Sequence, residues 1–478
     1  MRQSLRISLS PSADDDPSAR YALQFAALSL GVRCEFVRHE ADADLHYGGS
    51  PRAGVAFVPY WAECYDPAKP HIGILAADEH RWVPAQRADH RPVDLIGGIA
   101  RLLTLLDETQ VADPDRGDDG VFMVSALPAE RQTHHASPLV DWHVAELGRV
   151  LQASGFDIGN GEARWPHGAR YAVVLTHDTD AAGLHDLREL LRVAVRAARY
   201  RSRSHLAAAS SAALGWLRGS PDPWFQFAGW ASLERSIGVR SAFYLHARGG
   251  RRRHLHDPTY SVDRKQRWAV LGALVDEGWE MGVHAAIESG RSVASLAAER
   301  ELLEAVVQRQ VHGLRHHYWR LDWRSPWRTF RNHEEAGYTY DTSIAWRNRH
   351  GFRAGTAQPY RPFDPERGET IGILELPTTA MDVHLFEYLR MTPEEAIVAL
   401  RDLSRVVRDA GGVLNLNWHQ ETYGNRHANE GWRDTYETVV RELAADPDAW
   451  IATPYRVATW WLERMDRLGY GITAGSDG

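Results

Sequence analysis

The sequence predicts an α/β protein: a distorted (β/α) barrel of about seven to eight parallel strands, preceded by a smaller α/β domain. Three observations carry that expectation. From Tyr171 onward, short apolar runs alternate with longer helical patterns, the rhythm of a parallel sheet whose crossovers are helices. Residues 3–110 show a shorter alternation of the same kind. At 478 residues the chain also exceeds one ordinary core, since domains usually hold roughly 100 to 200 residues.

In the first region, Arg6 to Leu9, Cys34 to Val37 and Gly54 to Pro59 read as strands, and Ala19 to Leu30 and Val93 to Leu106 as helices. A polar loop rich in Gly and Asp follows at residues 110–120. Ser137-Pro138-Leu139-Val140-Asp141 opens a helix running to about Leu151, with proline where helix starts favour it. The loop at 159–168 is the expected boundary, giving an N-terminal α/β domain over 1–165 and a barrel over 166–478.

The barrel strands are expected at Tyr171 to Thr176, Val239 to Leu245, Trp279 to His284, His312 to His317, Tyr338 to Ser343, Ile371 to Leu376, Val413 to Trp418 and Trp450 to Thr453. Helical spacers separate most of them. Arg188 to Arg203 carries six arginines opposite a face of Leu, Val and Ala. Two readings stay open for it: a solvated helix covering the barrel, or a peripheral membrane contact that docks a lipid-linked or phosphorylated substrate.

The bulk properties exclude several classes. Apolar residues make up 44% and charged residues 25%, the balance of a globular protein rather than a disordered or fibrous one. A formal net charge of -8 gives no global attraction for nucleic acid. Cys34 and Cys64 are the only cysteines, too few for a disulfide framework or a four-thiolate zinc site. The first residues lack the apolar run of a signal peptide and no stretch is long enough to span a bilayer, so a cytoplasmic protein is expected. No phosphate-binding loop, nucleophile elbow or His-Glu-x-x-His motif is present.

Polar residues gather where the apolar runs stop. One strand ends in Thr176-His177-Asp178-Thr179-Asp180, another in Val283-His284, a third in Arg315-His316-His317-Tyr318 and a late one in Asn417-Trp418-His419. In a parallel barrel these ends converge on one mouth. Asp178 and Asp180, two apart, share a side if the strand stays extended. One can then bind a cation while the other takes a proton from water; a turn whose aspartates bond backbone amides is the alternative. His284 and Glu288, four apart, share a face if a helical turn follows, and both could reach a metal. Most of the 18 Trp are expected in packing, but Tyr318, Trp319 and Trp418 neighbour the motifs and offer flat faces to a sugar ring.

The order of these motifs resembles the NodB-homology polysaccharide deacetylases, carbohydrate esterase family four. The nearest likeness is a bacterial subgroup associated with surface polysaccharides that carries a His-Asp-x-Asp motif and an extra N-terminal α/β domain. Ser137 to Asp141, Asp222-Pro223-Trp224-Phe225 and Gly337 to Asp364 extend the likeness, which covers about residues 80–470. The resemblance implies a NodB-like barrel and a hydrolase that removes an N-acyl group from an amino sugar. By that resemblance Asp178 is the catalytic base, Arg315 orients it, and His419 protonates the leaving amine. It also implies one divalent ion, zinc with cobalt or nickel as substitutes, held by Asp180, His284 and either Glu288 or His317. Three positions depart from the family: Thr179 stands where a metal-binding aspartate is usual, Glu288 where a second histidine is usual, and the proline after the arginine is missing. Two other readings remain: a metal-free glycoside hydrolase pairing Asp178 with Glu375, and a silent carbohydrate-binding homologue.

Overall fold

A strand buried on both faces reads as a continuous apolar run, and Tyr-Ala-Val-Val-Leu at 171–175 is one. In the computed structural model it becomes the axis of a large parallel sheet. The structure describes residues 4–66, 77–78, 81–82, 93–117, 120–159, 162–183, 190–191, 194–195, 210–211, 213–247, 257–258, 260–262, 268–423 and 429–471.

The N-terminal region forms a four-stranded parallel sheet from β1 (Ser4–Leu9), β2 (Arg33–Phe36), β3 (Leu45–Tyr47) and β4 (Ala56–Val58), in the order β2-β1-β3-β4. Helices α1 (Pro17–Leu30), α2 (Leu95–Leu103) and α3 (Leu139–Ala153) accompany it. Asp16 caps α1 by accepting from the Ser18 amide at 2.9 Å, and Gly31 ends it at φ 80°. Of these strands only β3 went unread, because three residues between polar neighbours carry too little periodicity.

The second sheet has nine strands: β5 (Tyr171–Thr179), β6 (Ala242–Leu245), β7 (Glu280–Ala285), β8 (Gly313–His316), β9 (Tyr340–Asp341), β10 (Leu374–Glu375), β11 (Ala380–Met381), β12 (Val413–Asn417) and β13 (Ala449–Ile451). Eight follow the order β10-β9-β8-β7-β6-β5-β12-β11, and β13 pairs with the N-terminal half of β5 while β6 pairs with its C-terminal half. All these pairings are parallel. Helices α4 (Phe227–Ile237), α5 (Ala269–Asp276), α6 (Val293–Val307), α7 (Pro326–Glu335), α8 (Pro393–Ala410), α9 (Trp432–Ala445) and α10 (Pro454–Arg467) intervene or follow.

Chain length forces this sheet to curl. Seven strand spacings of about 4.8 Å would hold β10 and β11 about 34 Å apart in a flat sheet. Five residue steps from Glu375 to Ala380 reach at most about 18 Å. The two edges therefore bend towards each other, producing the expected distorted barrel with its break between β10 and β11. The expected strands all occur, several of them shorter; Tyr338 to Ser343 reduces to two paired residues.

The N-terminal elements and the barrel share one contiguous buried core, which includes Leu5, Leu102 and Val140 together with Val173 and Leu175. Polar groups cross the same boundary: Asp141 of α3 accepts from the Ala357 amide at 2.8 Å, and Arg464 of α10 donates to the Leu28 carbonyl at 2.9 Å. Both cysteines are free thiols. Among the described residues no helix is long and apolar enough to cross a membrane. Every arginine of Arg188 to Arg203 lies outside the described residues.

Candidate active site

Alternate residues of a strand face opposite sides. Because β5 remains extended through Thr179, Asp178 and Asp180 emerge on one side and His177 and Thr179 on the other. His177 turns towards the barrel wall, its Nε2 2.9 Å from Glu234 and its Nδ1 2.9 Å from the Trp418 carbonyl. Glu234 also accepts from Ser241 at 2.7 Å, Trp279 at 2.6 Å and Tyr436 at 2.7 Å. This half of the motif is a packed polar network behind the site. Thr179, where the resembled family keeps an aspartate, points the same way, away from Asp178.

Asp178 is buried, and both its oxygens are held. Arg315 donates through Nη1 to Oδ1 at 2.8 Å, and Asn417 through Nδ2 to Oδ2 at 2.8 Å. Arg315 itself is fixed by Thr342, Thr176 and Thr378 at 2.9, 2.9 and 3.1 Å. Burial pushes the Asp178 carboxyl up, but Arg315, then His284 and His419, outweigh it and leave it below the usual aspartate value. Asp178 is therefore ionised at neutral pH.

Asp180 is the most open of these groups, its side chain 32% exposed. Its oxygens lie 3.2 Å from His284 Nε2, 3.3 Å from His317 Nε2 and 3.6 Å from His419 Nε2. His246 joins them, and Asp180, His246, His284 and His317 each offer a ligand atom within 4.8 Å of the others. One carboxylate and three imidazoles suit a borderline divalent cation such as zinc.

The surroundings fit that use. The His284 Nδ1 lies 2.9 Å from the Arg315 carbonyl, and the His317 Nδ1 3.3 Å from Asp257, so the outer nitrogens are engaged while the Nε2 atoms converge. The buried His246 Nε2 has no hydrogen-bond partner within the protein, the orphan expected of a ligand atom. Burial and the neighbouring histidines push His246 well below its usual value, keeping it neutral. Burial lowers His317, but Asp180 and Asp257 more than offset it and raise it to about 9, so protons take up the carboxylates' charge when no cation does.

His419 faces the cluster from β12. Its Nδ1 lies 2.7 Å from Asp382 Oδ1, and its amide donates to Asp382 Oδ2 at 2.9 Å. Burial opposes its charge, yet Asp382 and Asp180 raise it well above the usual histidine value. A held, protonated imidazole therefore stands opposite an ionised aspartate.

Several expectations need correction. Glu288 lies away from the cluster: its side chain is 53% exposed and pairs with Arg291 at 3.0 Å. The chain leaves β7 in a turn rather than an α-helix, so four residues do not place it over His284. Trp418 is fully buried against Tyr436 and donates to the Trp432 carbonyl at 3.2 Å, which leaves no face for a sugar. Trp319 is 4% exposed and packs with Ala345 and Met381. Tyr318 is half-buried beside His317, their ring centroids 4.4 Å apart, and both Tyr318 and Trp319 adopt φ 56°, a costly backbone for bulky residues. Glu375 is buried in the barrel wall, where burial and Asp341 hold it well above the usual glutamate range. Fully buried, with Oε1 accepting from the Ile344 amide at 3.0 Å, it presents no exposed carboxyl to a glycosidic bond beside Asp178.

His246, Asp382, Asp257 and the role of Asn417 were not read from the sequence. His246 follows an expected strand directly, so the strand-end rule applied at Leu245 would have found it. Asp382 follows the two-residue strand β11, which no periodicity reveals.

No family model matches the chain, and no curated protein matches it. Solved structures similar to it include one described as a polysaccharide deacetylase from Mycobacterium smegmatis, at 19% identity over 66% of this chain and 97% of that one, TM-score 0.45. An allantoinase is similar at 14% identity over 64% of this chain and 95% of its own, TM-score 0.42. One described as a polysaccharide deacetylase from Pseudomonas aeruginosa PAO1 is similar at 15% identity over 65% and 97%, TM-score 0.42.

Proposed function

We propose that the protein is a metal-dependent hydrolase that removes an N-acyl group, acetyl in the simplest case, from an amino sugar of surface-polysaccharide or glycan-precursor metabolism. The observation that carries this reading is the position of Asp180, within 3.2 to 3.6 Å of His284, His317 and His419, with the Arg315-bound Asp178 two residues before it. Asp180, His284, His317 and His246 would hold the ion. When bound, a divalent ion supplies polarisation of the acyl oxygen and a more acidic water.

The chain's own residues do the rest. Asp178 accepts a proton from the attacking water at its carboxylate, which Arg315 and Asn417 hold in place. His419 gives a proton to the departing nitrogen, its ring oriented by Asp382. Tyr318, at the rim, supplies an aromatic face for the sugar. The division into an N-terminal unit over 1–165 and a barrel over 166–478 belongs to the same reading, supported by two sheets that fall wholly on either side of it.

The test is metal dependence. Chelator-treated protein should lose release of acetate from N-acetylglucosamine oligomers and regain it with zinc, cobalt or nickel. Full activity of a metal-free Asp180→Ala protein would sink the reading.

A further inference from the structure

Beneath the histidines, towards the strand N-termini, the inside of the barrel carries groups that take no part in the steps above. Residues two apart on a strand share a side, so Glu280 and Gly282 underlie His284 on β7, Gly313 underlies Arg315 on β8, and Tyr244 of β6 underlies His246. Two tyrosines fill this layer, each beside a glycine of the neighbouring strand: Tyr244 is the register partner of Gly282, and Tyr340 of Gly313. A Cβ at Gly282 would fall 2.4 Å from Tyr244 Cε1, and one at Gly313 1.9 Å from Tyr340 Cζ, so the two glycines open the space that the rings occupy.

Both rings are fully buried, and their hydroxyls form a chain. Tyr340 donates to Glu280 Oε1 at 2.5 Å, and the Tyr244 and Tyr340 oxygens lie 2.9 Å apart. A phenol has one proton to give; with that of Tyr340 committed to Glu280, Tyr244 donates to Tyr340. The lower end is anchored by α10, whose Tyr455 amide donates to Glu280 Oε2 at 2.9 Å. At the upper end the Arg315 guanidinium carbon lies 4.7 Å from the centroid of the Tyr244 ring. Donation down the chain leaves that ring richer in negative charge, the face a buried cation prefers.

Arg315 is thus gripped in two ways. Its hydrogen bonds to Thr342, Thr176, Thr378 and Asp178 fix the planar guanidinium within its own plane, and the Tyr244 ring fixes its tilt. We propose that Glu280, Tyr340 and Tyr244 are positioning residues, a column that holds Arg315 from below so that Asp178 keeps the orientation its proton transfer requires. The contacts stand on the geometry alone; their part in catalysis rests on the deacylase reading.

A double-variant cycle on the full chain tests it. Tyr340→Phe keeps the ring over Gly313 and removes the one hydroxyl that links Tyr244 to Glu280. Acetate release should show kcat about tenfold lower with KM little changed, and the same substitution should cost nothing further in an Arg315→Lys background. Tyr338→Phe is the comparison: it deletes another buried hydroxyl, one that donates to the Leu296 carbonyl at 2.9 Å outside the column, and should leave kcat unchanged. An unchanged kcat in Tyr340→Phe, equal losses in both backgrounds, or a loss as large in Tyr338→Phe would each overturn the proposal. Wild type that releases no acetate removes the deacylase reading, and the column is then judged by urea unfolding, which needs no activity. The midpoint shifts of Tyr340→Phe and Arg315→Lys should be non-additive in the double variant, as for members of one network. Additive shifts would show that the column does not reach Arg315.

Discussion

Arg315 and Asp178 meet 2.8 Å apart with almost no exposure of either side chain, 0% and 4%. A pair so deep in the protein is sensitive to loss of one partner, because the other is left charged without compensation. Arg315→Leu should lower stability by about 3 to 5 kcal/mol in urea unfolding. Arg315→Leu/Asp178→Asn should recover part of that loss. A double variant as unstable as the sum of its singles would show that the two act independently.

The proposed ligand set of Asp180, His246, His284 and His317 predicts a split between His246 and Glu288. His246→Ala should weaken zinc binding about tenfold or more, measured as metal per chain after dialysis against a competing chelator. Glu288→Ala should leave metal content unchanged and stability within about 0.5 kcal/mol, as expected of an exposed pair. The reverse pattern would restore Glu288 as a ligand.

Asp382 accepts from both the ring and the amide of His419, so it fixes orientation as well as charge. Asp382→Asn keeps the shape and removes the charge. Steady-state kinetics should show kcat about a hundredfold lower with KM little changed, the signature of a lost proton donor. A change in KM alone would assign Asp382 to binding.

Glu234 gives a pH-dependent prediction on stability. Burial raises its carboxyl, but the His177 hydrogen bond and charge, with Tyr436 and Ser241, outweigh burial and hold it below the usual 4.5. A depressed carboxyl adds stability above its unfolded value and loses it as pH falls through the folded value. Urea midpoints of wild type and Glu234→Gln should differ by a constant amount above pH 4.5, and the gap should close below it. A gap that widens in acid would reverse the sign.

Glu375 separates the two hydrolase chemistries. Held protonated by burial and Asp341, it is mimicked by glutamine. Glu375→Gln should unfold within about 1 kcal/mol of wild type and retain acetate release. Loss of all hydrolysis in a well-folded variant would instead point to a two-carboxylate mechanism.

The sequence by itself determined the strand and helix rhythm, because a parallel sheet covered on both faces must be written in apolar runs, and Tyr171–Leu175 is such a run. It also determined which strand ends are polar and that Asp178 and Asp180 share a side, since extended backbone has a period of two. Only the tertiary structure decided which of those polar ends meet. Glu288 is four residues from His284 yet points to solvent, whereas His246, 38 positions before His284 by their numbering, faces it with ring centroids 4.8 Å apart. Asp382 follows a strand too short to leave a period, and His419, whose ring it holds, lies 37 positions further along the chain. The carboxylate and histidine cluster is a convergence in space, set by the curl of the sheet that carries it, and local periodicity holds no record of that curl.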